Sequence, residues 1–351
     1  MRSSTGGVAK LSRQFEDVLS TWDLGLTNPH LYGLSDIVAS VLSIRSVNTT
    51  EIAQVLPRTV EKEESKQRYI WRFLSHPCID PMRVMEGVVP HLIQSVTQNG
   101  ETAVLMLDQT QITSECQCLM LSLSFQGRAH PLAWKVIKMG RGTIGYAEQE
   151  HLLRYIRRLI PESIKVMLSA DRFYGTHSLI RLCQELNFSY RIRLKSNLLI
   201  RHEEAEFSLR DAVLWDLPSL ETTHLGNVKT NIGILHENKH PEPWIIAMDA
   251  KPTPSTILDY GLRWEIESML SDLKTRGFSV TKTQLTTPDR IERLLMILGF
   301  AMLFAVLIGT RPPLKNPSKK QKRSLTSAFK NGLRIITLAI INSIILPELW
   351  L

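Results

Sequence analysis

Residues 101–112, ETAVLMLDQTQI, read as a short buried strand whose apolar run gives out at an acid, Asp108. Working outward, 118–127 (CLMLSLSFQG) and 130–139 (HPLAWKVIKM) are two more strands, turning at Gln126 and Gly127, so that three strands form an antiparallel meander. Residues 147–161, AEQEHLLRYIRRLIP, carry helical periodicity up to Pro161. Residues 164–171, IKVMLSAD, form a fourth strand that is apolar until Asp171. A helix at 176–186 with Thr176 as N-cap and a fifth strand at 188–197 (FSYRIRLKSN) complete the order β-β-β-α-β-α-β.

That order is the one of a ribonuclease-H-like core, an α/β fold with a mixed sheet flanked by helices. Asp108 and Asp171 both stand where a strand stops. A carboxylate there is held by a rigid scaffold yet open to ligand. Asp is also a routine turn residue, so either one alone says little. On the first and fourth strands of this topology the two make a candidate catalytic pair.

A third acid comes from residues 260–274, YGLRWEIESMLSDLK, which follow the turn signal PTPS and have helical composition. At about 100° per residue, Tyr260, Arg263, Glu267 and Lys274 share an arc of roughly 60°, with Glu265 and Asp272 pointing elsewhere. Alone, such a face reads as solvated helical ion pairs. Beside two strand-end acids it reads as catalytic. Three carboxylates can hold two divalent cations, Mg²⁺ or Mn²⁺, which suits in-line phosphoryl transfer. Arg263 and Lys274 would then position phosphate.

The Tyr260, Arg263, Glu267 and Lys274 spacing resembles the Tyr-x2-Arg-x3-Glu-x6-Lys signature of bacterial insertion-sequence DDE transposases, the family numbered four. LDQT at Asp108 and SADRFYG at Asp171 look like that family's two aspartate motifs, and the resemblance covers roughly residues 30 to 310. It implies metal ligation by Asp108, Asp171 and Glu267, and DNA-end contacts from Tyr260, Arg263 and Lys274. It further implies DNA contact by Arg193 and Lys195, otherwise outward-facing residues of a half-buried strand, and stacking of a flipped base on Trp244, otherwise a core residue of the small β insertion. The reaction it implies is metal-dependent cleavage at terminal inverted repeats and strand transfer into target DNA, cut-and-paste through a hairpin. A homodimer on DNA, in the bacterial cytoplasm at the nucleoid, is the form expected. A nuclease of the same core without joining, or a decayed or host-adopted DNA-binding copy, are the alternatives.

The remaining chain fits that partner. The net charge of +8 and pI near 9.3 favour a polyanion. Residues 1–95 read as an N-terminal helical DNA-binding domain, with a basic-aromatic helix in which Arg68 and Arg72 meet phosphate. Residues 96–199 are the first part of the core, 200–255 a β insertion, 256–310 the final core helices, and 311–351 a basic linker and C-terminal helix. Within the insertion, 207–218 read as a strand. The four cysteines follow neither a zinc nor a disulfide spacing. The N-terminus has no signal-peptide pattern, and the apolar run 294–309 is short for a membrane span, reading instead as a buried helix.

Overall fold

The computed structural model describes residues 5–60, 62–236, 242–311 and 327–346. The basic stretch 312–323 lies outside the described residues, so its expected phosphate affinity has no structural counterpart here.

Five helices come first: α1 (Gly7–Leu19), α2 (Asn28–Ile44), α3 (Thr49–Val55), α4 (Glu63–Ser75) and α5 (Pro81–Thr97). Pro29 and Pro81 sit in the first turns of α2 and α5, where a missing N–H costs nothing. Asn48 caps α3, its side chain accepting from the Thr50 N–H.

The meander then forms as read: β1 (Ala103–Gln111), β2 (Cys116–Phe125) and β3 (Arg128–Lys138), with Gln126 and Gly127 both at positive φ in the tight turn. Next come α6 (Tyr146–Leu159), β4 (Val166–Ala170), α7 (His177–Glu185), capped by Thr176 as expected, and β5 (Ser189–Arg193). β2 and β3 pair antiparallel with their neighbours, while β1, β4 and β5 run parallel. The order β3-β2-β1-β4-β5 is a large mixed sheet flanked by helices.

Residues 199–248 extend this sheet. β6 (Leu199–His202), β7 (Ala205–Ser208), α8 (Leu209–Leu214), β8 (Ser219–Leu225), β9 (Val228–Leu235) and β10 (Trp244–Met248) follow in sequence. β10 pairs antiparallel with β5, and the sheet continues β10-β9-β8-β6-β7 to ten strands. The strand expected over 207–218 is instead largely helix α8. Ser208 and Asp211 form a reciprocal capping box, which supplies the backbone partners a helix start requires.

The chain returns through α9 (Pro254–Leu258), a 3₁₀ turn at Asp259–Arg263, α10 (Trp264–Ser271) and a π-helical turn at Asp272–Arg276. The single helix expected over 260–274 is therefore three helical forms in series. Gly277 explains the widening: a Cβ there would stand 2.5 Å from the Asp272 carbonyl oxygen, which accepts from the Phe278 N–H. α11 (Pro288–Gly309) and α12 (Ala328–Asn342) close the fold.

α11 is long and apolar enough to cross a membrane, yet 94% of its apolar window is buried inside the protein. It lies against β3, where its Glu292 carboxylate accepts from the Val136 N–H at 2.9 Å. It also packs on the N-terminal helices, with Phe304 stacked on Phe15 of α1 at 3.9 Å between ring centroids. Buried Arg293 donates to the carbonyls of Leu74 and Ile79, tying α11 to the end of α4.

Candidate active site

Strand register builds the first part of the site. β1 and β4 pair in parallel with Leu107 opposite Ala170, and β4 and β5 with Ala170 opposite Ile192. The next residue along each strand is Asp108, Asp171 and Arg193. These three come level across adjacent parallel strands: Asp171 just past β4, Arg193 closing β5, and Asp108 inside β1, which runs on to Gln111 beside β2 instead of stopping at the acid as its apolar run suggested.

α10 brings Glu267 to this row. It is held against the sheet by Glu265, which accepts from the Ser124 hydroxyl at 2.7 Å, and by the Arg128–Asp272 pair at 2.6 Å. The two acids that fell outside the helical face thus anchor the helix, which turns Arg263 and Glu267 toward the strand ends. Arg263, buried, reaches Glu267 at 2.5 Å and Asp108 at 3.8 Å. Its guanidinium stands between acids contributed by a strand and a helix.

Burial pushes the Asp108 carboxyl up to about 6. The Gln109 N–H and the Arg263 charge oppose that shift, and the negative charges of Asp171 and Glu267 reinforce it. The acids therefore sense one another, with burial rather than their mutual repulsion the leading cause of the shift. Burial lowers Lys274, while Asp108 acts the other way. The buried Tyr260 hydroxyl is pushed up to about 12, with Arg263 opposing and Asp171 reinforcing. The Tyr260 hydroxyl and the Arg263 Nε are both buried without hydrogen-bond partners among the described residues. Such orphans are costly unless a polar ligand completes them.

Among the described residues no three His, Cys, Asp or Glu side chains are gathered tightly enough to hold a metal ion as they stand. The chemistry of the donor set nonetheless fits one. All three are hard carboxylate oxygens, of the kind Mg²⁺ and Mn²⁺ take.

Other expected residues are placed as follows. Arg193 is half-buried, with its guanidinium 3.7 Å from Glu242, which also accepts from Arg172 at 3.0 Å. Lys195 is exposed, its ammonium 5.3 Å from the ring centre of the exposed Phe173. Arg68 and Arg72 are exposed on α4, outside the catalytic row. Trp244 has no face open to a base: it is 2% exposed, edge-on to Tyr260 at 5.3 Å and to Trp264 at 5.4 Å. As the first residue of β10 it belongs to a small core with Ile246, Met248, Ile257 and Tyr260. Trp264, at 41% exposure, is the outward ring of that stack.

Three neighbours escaped the sequence reading. Tyr174 is buried beside the acids, and its hydroxyl is raised by burial and by Asp108 and Asp171. Arg172 and Phe173 directly follow Asp171. The aromatic and basic character of SADRFYG was the signal for all three.

A family profile described as a transposase DDE domain matches residues 143–304. That span contains Asp171 and Glu267 and begins after Asp108. No curated protein sequence matches the chain. Among solved structures, the cryo-EM structure of a piggyBac transposase synaptic complex with hairpin DNA is similar at 11% identity and TM-score 0.42, covering 96% of this chain and 78% of that one. The crystal structure of human ENDOV is similar at 10% identity and TM-score 0.25, covering 63% of this chain and 96% of that one. At such scores neither likeness bears on function. The matched domain supports a DDE transposase as the class of enzyme.

Proposed function

We propose that this transposase is of the insertion-sequence type with the Tyr-Arg-Glu-Lys signature, cutting DNA at terminal inverted repeats and joining the freed end to target DNA. The observation that carries the reading is the level placement of Asp108 and Asp171, with Glu267 joined to Asp108 through Arg263. Asp108, Asp171 and Glu267 would hold the divalent ions, two in number. When bound, the ions supply charge stabilisation to the attacking and leaving oxygens of phosphoryl transfer.

The chain's own residues do the rest. Arg263 is permanently charged and has an unfilled Nε donor, which suits it to grip a phosphate oxygen once its hold on the carboxylates is released. Tyr260 offers its orphaned hydroxyl to the same phosphate. Lys274, half-buried and sensing Asp108, adds a point charge to that side. Arg193 lies level with the acids, where it would meet the strand running past them, and exposed Lys195 lies two residues beyond. Two ends must be cut and joined together, so a homodimer on DNA is the working form, and cut-and-paste through a hairpin is the route.

The test is a plasmid carrying the repeats that flank this gene, incubated with protein and Mg²⁺, Mn²⁺ or EDTA, beside Glu267→Gln. Metal-dependent cuts at the repeat ends and joined products are expected. Glu267→Gln should lower cutting by about 10²-fold or more while leaving end binding in place. Cuts that survive Glu267→Gln, or that EDTA does not touch, would overturn the assignment. Cuts without joined products would make the protein a nuclease.

A further inference from the structure

A hollow of about 460 Å³ opens between the start of α2 and α4. None of the residues of the catalytic row lines it. Its walls are aromatic: Tyr32 from α2, and Tyr69 and Phe73 from α4. Gly33 lets these walls close up. A Cβ there would stand 2.6 Å from the Tyr69 hydroxyl and 3.0 Å from the Phe73 ring.

The polar lining is cationic. Arg58 lies with its guanidinium carbon 4.2 Å from the Tyr69 ring centre, donates to the Tyr69 hydroxyl at 2.6 Å and pairs with buried Asp36 at 2.9 Å. Its Nε is buried without a hydrogen-bond partner among the described residues. Arg72 is exposed at the rim. The His30 and His76 rings meet at 4.3 Å. The Nδ1 of His76 accepts from the Cys78 N–H at 3.3 Å and that of His30 lies 3.1 Å from the Thr27 hydroxyl, leaving Nε2 as the remaining polar atom of each ring. Burial, and after it the neighbouring His76, hold His30 below its ordinary value, so this ring offers the hollow a neutral hydrogen-bonding nitrogen. No lining residue is acidic. The positive end of the α2 dipole lies at the same place.

A site with flat apolar walls and cationic polar groups is complementary to a ligand that is both planar and anionic. We propose that this hollow receives one unpaired nucleotide of DNA. The base lies against the half-buried rings of Tyr32 and Tyr69, and its phosphate meets exposed Arg72 at the rim. A base inside a regular duplex has both faces covered by its neighbours, so the occupant comes from a single strand or a frayed end. The inference rests on the reading of the chain as a DNA-acting transposase and adds a second DNA contact to it, apart from the acids.

The full-length protein would be titrated with a 5′-labelled single-stranded 12-mer of thymidine, the same 12-mer with abasic positions, a 12-base-pair duplex, and thymidine monophosphate. The thymidine 12-mer is expected to bind about tenfold tighter than the abasic one, the size of one base–aromatic stack. Tyr32→Ala should erase that difference. Arg72→Ala should weaken both single strands and reduce the salt slope of binding by about one. Equal binding of the two 12-mers, with Arg72→Ala indistinguishable from wild type, overturns the proposal even if Tyr32→Ala fails to fold. Monophosphate bound as tightly as the 12-mer makes this a free-nucleotide site and overturns it too. If the hollow fails while metal-dependent end cutting persists, the transposase reading stands; if no DNA is bound or cut, both fall.

Discussion

Arg263 stands among the acids of the candidate site as a cation built into the chain. It satisfies Glu267 directly and Asp108 at 3.8 Å, yet Asp108 remains pushed up to about 6. Burial, ahead of any of the charges around it, sets that shift. The residues around it were legible in the sequence to different degrees. Asp108 and Asp171 could be read because an apolar run ends on an acid, and strand register does the rest. Arg263 and Glu267 could be read because a spacing of four brings them to one side of a helix. The Glu242 contacts with Arg172 and Arg193 could not, since Glu242 is far from both in sequence. The place of Trp244 could be read in two ways, as a base-stacking ring or as a core residue of the β insertion, and the packing of Tyr260 and Trp264 against it decides for the core. Burial acts elsewhere at this scale. His130 on β3 is 4% exposed, and burial lowers it to about 3. Its folded value lies below the unfolded one near 6.5, so the unfolded chain takes up the proton first. The stability it contributes is complete above about pH 6.5 and is lost as pH falls toward 3, at about 1.4 kcal/mol per unit. Urea titrations of wild type and His130→Gln at pH 7, 6 and 5 should converge by about that slope; parallel curves would refute it.

Elements follow the same division between local and non-local causes. The meander and α7 formed as read because their turns and caps are written in adjacent residues. At 207–218 a local signal, Ser208 three residues before Asp211, was outweighed by the surrounding β texture, and the structure follows the local signal. The π turn after α10 depends on Gly277, which lies beyond the helical face that drew attention. The pairing of α11 with α12 depends on two more glycines. A Cβ on Gly332 would stand 1.7 Å from the Ala305 carbonyl oxygen, and one on Gly309 would stand 1.8 Å from that of Ala328. Backbone cannot yield as a side-chain tip can. Gly332→Ala should therefore cost about 1–3 kcal/mol by pushing α12 off α11, despite the better helix propensity of Ala. A denaturant midpoint equal to or above that of wild type would show that the two helices tolerate a wider spacing.

At the scale of the whole molecule, the change of texture near residue 95 separates helices from strands but not one core from another. A single cluster of buried side chains runs from Leu11 on α1 through the sheet to Ala339 on α12. α11 is the hub: it meets the sheet through Glu292, α4 through Arg293 and α1 through Phe304. This arrangement braces α4, with its exposed Arg68 and Arg72, against the same helix that lies on the catalytic sheet. A helical segment joined in this way does not unfold by itself. Phe15→Ala removes the ring stacked on Phe304 and should cost about 3–5 kcal/mol of total stability. The loss should move one cooperative transition, reported alike by far-ultraviolet circular dichroism and by the fluorescence of tryptophans in both regions, Trp22 and Trp71 among the helices and Trp134 and Trp244 on strands. Two separated transitions, with only the first shifted by Phe15→Ala, would mean that the N-terminal helices stand as a unit of their own. DNA contacts made there would then reach the acids only through a flexible joint, whereas one shared transition makes α11 the rigid link between the two.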